Sequence, residues 1–99
     1  MAVAYRVVSD PDKEKTQIRR LVNRVLKERR LSLIVGSDVE LGEDSTEQPA
    51  VWIWLLIDPR SKLTKSELGH INELARSIKT EIFETNVQRQ PYVRLRTAA

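Results

Sequence analysis

Val51-Trp52-Ile53-Trp54-Leu55-Leu56-Ile57 is the one long uninterrupted apolar run in the chain, closed off by Pro49 before it and by Asp58-Pro59 after it. Its length, β-branched content and aromatic content predict a strand. Alternation gives that strand two apolar faces, Val51, Ile53, Leu55 and Ile57 on one side and Trp52, Trp54 and Leu56 on the other. A strand apolar on both faces belongs in the middle of its sheet.

Upstream of this run the period is also two. From Leu31 to Leu41, the residues Leu33, Val35, Val39 and Leu41 alternate with Ile34, Gly36, Asp38 and Glu40, and Gly36 is the place for a bulge or bend. Gly42 to Pro49 reads as a polar, acidic and mobile hairpin loop. Downstream, Asp58 to Leu63 is a polar connection, and Thr64-Lys65-Ser66-Glu67 matches a capping box that opens a helix. Leu68, Ile71, Leu74, Ala75, Ile78 and Ile82 form that helix's apolar stripe, which ends near Thr85-Asn86. After Pro91, Tyr92 to Arg96 alternates as a last strand with Val93 and Leu95 inward.

At the other end of the chain, Met1 to Val8 alternates as a short leading strand. Asp10-Pro11 then supplies an N-cap and a first helical residue. A helix to about Arg30 follows, with Ile18, Leu21, Val22, Val25 and Leu26 on its apolar stripe. The order β-α-β-β-α-β predicts a ferredoxin-like α+β sandwich over residues 1–99 as one domain. Its four-stranded antiparallel sheet has strand order 4-1-3-2 and both helices on one face. The expected core is Ile18, Leu21, Val25, Ile53, Leu55, Leu68, Ile71, Ile78 and Val93. A chain lacking the leading strand would instead favour a KH-like arrangement.

The sequence holds 99 residues with no cysteine, a net charge of +3 and one histidine. No disulfide framework or thiolate chemistry is available, no secretory leader is evident, and no run reaches the roughly 20 apolar residues of a membrane span. A cytoplasmic protein is the expectation. A single histidine rules out a multi-histidine metal site within one chain. His70 flanks the stripe of the second helix as a half-exposed structural residue, although Glu67 and Glu73 stand three residues to either side of it. The acids of the hairpin lack the EF-hand spacing. Phosphate-cradling glycine motifs and the nucleophile elbow are absent. The sequence therefore predicts no catalytic residue, no metal, no cofactor, no small-molecule substrate and a non-enzymatic role.

Charge is distributed unevenly. Residues 11–30 carry eight Lys or Arg against three acids, whereas residues 38–47 carry five acids and no base. The basic first helix presents Arg20, Arg24, Lys27 and Arg30 away from its apolar stripe, either as a solvated face or as a nucleic-acid contact. The face of the sheet away from the helices is expected to carry, in spatial order, Tyr92, Arg94 and Arg96, then Ala4, Arg6 and Val8. Trp52, Trp54 and Leu56 come next, and Ile34, Asp38 and Glu40 form the far edge. One edge is then basic, the middle aromatic and the other edge acidic.

Two uses of that face compete. The first is an interface, most simply a homodimer, with Trp52, Trp54, Leu56, Arg6, Tyr92, Arg94 and Arg96 in contact with a second copy or another protein. The second is an RNA platform on which Trp52, Trp54 and Tyr92 stack bases. The RRM signature is absent, and acids lie beside the tryptophan strand. The interface is the favoured use.

Two family resemblances accompany these readings. Through its basic first helix, Asp38-Val39-Glu40-Leu41 and Ala75-Arg76-Ser77, the span Ile18 to Arg96 resembles ribosome-binding factor A. That resemblance implies a KH-like fold and ribosome association. The family usually has Ala-x-Gly at the last of these sites, so Ser77 departs from it, and a leading strand would not belong. Ile57-Asp58-Pro59 through His70-Ile71 resembles the cytosolic domain of cation diffusion facilitators, whose sites need further metal ligands than this chain supplies.

Overall fold

A computed structural model describes residues 11–85 and 87–98. Its elements are α1 (Pro11–Glu28), β1 (Ile34–Glu43), β2 (Pro49–Ile57), α2 (Lys65–Glu84) and β3 (Gln90–Thr97). Pro11 opens α1, where a missing amide hydrogen costs nothing, and Asp12 and Glu14 lie near the positive end of its dipole. The capping box of α2 is complete. Thr64 Oγ1 accepts from the Glu67 amide at 3.1 Å, and Glu67 Oε1 accepts from the Thr64 amide at 3.3 Å. At the other end Thr85 turns extended, and its amide and hydroxyl both donate to the Ile82 carbonyl.

The sheet runs β1-β2-β3 among the described residues. β1 pairs antiparallel with β2, and β2 pairs parallel with β3. The tryptophan strand is therefore central, as its two apolar faces require. The four-stranded antiparallel order is corrected. Met1 to Val8 lies outside the described residues, but the position that order gives it, between the last strand and the tryptophan strand, is already taken. Val51↔Pro91 through Ile57↔Thr97 pair directly, and the crossover through α2 makes them parallel.

The register slips between Ile34 and Gly36, so the bulge does fall beside the glycine. Ile34 pairs with Ile57 and packs against the core instead of facing outward with Asp38 and Glu40. Val35 is the inserted residue and is 55% exposed, not inward as strict alternation predicts.

Both helices close over one face of the sheet. Ile18, Val22, Val39, Val51, Ile53, Leu55, Leu74, Ile78 and Ile82 are essentially sealed from water, and Val93 is half-buried against them. Leu68 is corrected as well: it is 40% exposed. It lies at the flank of the stripe in the first turns of α2, where no other described residue seals it from water.

Candidate functional site

The sheet face opposite the helices holds a continuous aromatic and charged cluster. Trp52, Trp54 and Leu56 project from β2, Tyr92, Arg94 and Arg96 from β3, and Asp38 and Glu40 from β1. Direct β2–β3 pairing puts the last strand one strand spacing, about 4.8 Å, from the tryptophans, where the expected order would have left two. Tyr92 stacks on Trp52 with ring centroids 5.8 Å apart and planes inclined by 21°. The Arg94 guanidinium carbon lies 5.5 Å from the Tyr92 ring centroid, and that of Arg96 lies 5.1 Å from the Trp54 centroid. Cation–π contacts of this geometry each contribute about 0.5–1 kcal/mol at exposed sites.

The acids of β1 complete the arrangement. Arg96 Nη2 donates to Asp38 Oδ2 at 3.1 Å across the top of the central strand, and Trp54 Nε1 donates to Glu40 Oε1 at 3.1 Å. Trp52 is seated over Gly42, where a Cβ would come within 3.2 Å of its Cζ3 atom. The tryptophans are consequently half-buried and fixed, not open to water as a bare sheet would leave them.

At one end of this face, Asp44 organises the β1–β2 turn. Its Oδ1 accepts from the Thr46 hydroxyl at 2.7 Å, the Thr46 amide at 2.9 Å and the Gln48 amide at 3.1 Å, while Oδ2 accepts from the Tyr92 hydroxyl at 3.0 Å. These donors, the Thr46 hydroxyl foremost, hold the Asp44 carboxyl at about 2, well below its ordinary value. The same hydrogen bond to Asp44 raises the Tyr92 phenol above its ordinary value. Glu47 takes a positive φ of 63° to close the turn, a conformation that costs most non-glycine residues energy. The hairpin loop is thus shorter and more tied down than its acidic composition suggests.

Arg89, in the α2–β3 connection, anchors the other side of the hairpin. It donates to Glu14 Oε2 at 2.9 Å, the Gly42 carbonyl at 3.0 Å and the Ala50 carbonyl at 3.1 Å. It joins α1, β1 and β2 at the level of Trp52.

Six of the seven sequence-predicted interface residues therefore form one cluster, and Arg6 lies outside the described residues. The structure leaves Arg20, Arg24, Lys27 and Arg30 exposed on the helix layer, with the sheet between them and the aromatic face. Arg24 is paired with Glu81 on α2. Sequence reasoning missed Gly42, Asp44 and Arg89. Gly42 alone carried a usable signal, a glycine set in a strand opposite a bulky one. His70 is exposed on α2. Among the described residues, no group of three or more His, Cys, Asp or Glu converges where a metal ion could be held, and no helix is long and apolar enough to cross a membrane.

No family model and no curated protein matches the sequence. Several solved structures match the fold. A cysteine-to-serine variant of the MamM CTD superposes with a TM-score of 0.58 and 10% identity over 92% of this chain and 100% of that one. A variant described as a copper form of the MamM CTD gives 0.58 and 9% over 91% and 100%. One described as a nickel form gives 0.56 and 9% over 89% and 99%. At such identities the likeness carries architecture and nothing of chemistry. Over its described residues the chain has an α+β fold, two helices on one face of a three-stranded mixed sheet, similar to the fold of the MamM CTD.

Proposed function

We propose that this protein is a non-enzymatic assembly module that pairs with a second copy of itself through the outer sheet face. The observation that carries the reading is the pre-arranged cluster of Trp52, Trp54, Tyr92, Arg94 and Arg96. Rigid aromatics and arginines of this type dominate protein–protein hot spots, and a face already fixed in shape loses little entropy on docking. The superposition on the MamM CTD, over 92% of this chain and 100% of that one, concerns the backbone fold, so the reading rests on the side chains of the outer face.

The charge pattern selects a geometry. A twofold axis along β2 sets the β3 edge of one copy over the β1 edge of the other. Arg96 is already held by Asp38 within its own chain. Arg94 enters no ion pair with a described residue, so it is the cation left for the Glu40 of a second copy. The same acids weigh against RNA on this face, since Asp38, Glu40 and Asp44 would lie beside any phosphate backbone drawn there.

Light scattering at micromolar concentration tests the reading. A dimer should form, and the Trp52→Ser, Trp54→Ser double variant should be monomeric while keeping its helical circular dichroism. A wild-type mass near one chain, 11.4 kDa, would end the proposal. RNA retention on a filter that falls steeply with salt would redirect it.

A further inference from the structure

We propose that the free edge of β3 accepts an extended peptide as an added strand, and that the peptide it fits alternates acidic and apolar residues. Among the described residues β3 pairs only with β2, and the backbone groups along its far side meet no described strand. An open edge is a template for strand addition, where main-chain hydrogen bonds supply affinity and alternate side chains supply selectivity.

The two sides of this edge differ in chemistry. On the outer side stand Arg94 and Arg96, both exposed, with Arg94 lacking an acidic partner among the described residues. On the helix side Leu95 is 39% exposed and lines a hollow with Leu63, itself 45% exposed. Leu68, in the first turns of α2, is also uncovered. An added strand sends successive side chains to opposite faces. One set would therefore meet arginines and the other would meet leucines, and this alternation defines the ligand.

Charge separates this occupant from the alternatives. A second copy of β3 laid antiparallel would bring Arg94 and Arg96 against their own counterparts, and like charges across a pair are unfavourable. The segment before Ser9 contains Arg6 and no acid, so it offers nothing to Arg94. This site shares Arg94 and Arg96 with the aromatic face but lies along the outer edge of β3. Its test reads peptide binding and not self-association, so it can fail or hold independently of the dimer.

The test uses the full chain and fluorescein-labelled octapeptides, read by anisotropy at low salt. The Glu-Val repeat should bind, and the Lys-Val repeat should bind about tenfold more weakly or worse, the size expected of a few partly screened charge pairs. Arg94→Glu with Arg96→Glu should reverse that order. Methylating alternate backbone nitrogens on the edge that faces β3 should abolish binding, which a groove recognising only side chains would not require. Saturable binding with all three responses supports the proposal. No binding by the full chain would mean that the edge is already filled, by residues 1–10 or a second copy, or is closed, and overturns it. Equal binding of both repeats, or indifference to N-methylation, overturns it equally.

Discussion

Replacing Arg89 by alanine should destabilise the fold more than any other single substitution of a charged residue. One guanidinium serves Glu14 and two backbone carbonyls, and the side chains of Arg89 and Glu14 are only 20% and 15% exposed. Hydrogen bonds to charged groups are each worth about 1.5–3 kcal/mol. The three share a donor and so do not add, and residual exposure screens the ionic part. Truncation also leaves the Glu14 carboxylate mostly enclosed without its partner. Together these give a cost of about 2–4 kcal/mol, or a fall in Tm of at least about 8 °C for a domain of this size. Arg89→Lys should recover about half, because a compact ammonium cannot face three acceptors in fork geometry. Urea unfolding followed by tryptophan fluorescence measures both variants, with Glu14→Ala closing a double-mutant cycle. A cost under about 0.5 kcal/mol for Arg89→Ala, the level of an ordinary surface change, would refute the reasoning.

Leu55→Ala removes a side chain sealed at 0% exposure and should cost about 2–5 kcal/mol by the same urea assay. Thr64→Ala, which deletes the reciprocal cap of α2, should cost about 1 kcal/mol, with Thr64→Ser restoring most of it. Asp44 has a folded pKa of about 2, below its unfolded value of 3.8, so its contribution is present above about pH 4 and is lost as pH falls towards 2. Stability measured from pH 6 to pH 2 should therefore drop less steeply in Asp44→Asn than in the wild type. Tyr92 is shifted upward, so its contribution is present below pH 10 and is lost as pH rises through the folded pKa. Tyr92→Phe should flatten that alkaline limb.

Much of this architecture was legible because it rests on local signals. The apolar run at Val51–Ile57 marks a central strand whatever surrounds it, and the stripe of α1 and the capping box of α2 depend on nearest neighbours alone. Strand order did not follow, because it depends on which strand the return through α2 delivers beside β2, a long-range choice that periodicity does not encode. From that one difference comes the geometry of the outer face. With β3 adjacent, Tyr92 stacks on Trp52 and Arg96 covers Trp54, contacts that a strand placed between them would have prevented. Ile34 was misassigned because a bulge reverses every side chain beyond it, and Gly36 signals that a bulge occurs without saying which residue is the extra one. Arg89 was invisible because its partners, Glu14, Gly42 and Ala50, are brought together only by the finished fold.

The central claim, that two copies close over the tryptophan face with opposite edges aligned, is tested most directly by a charge exchange. Arg94→Glu alone sets carboxylate against carboxylate at both symmetry-related contacts, and Glu40→Lys alone sets cation against cation. Mixed in equal amounts, the two variants regain an opposite-charge pair at each contact. Light scattering should find each variant monomeric by itself and a dimer in the mixture. Two variants that both remain dimeric, or a mixture that stays monomeric while the wild type dimerises, would contradict the proposed face and its axis.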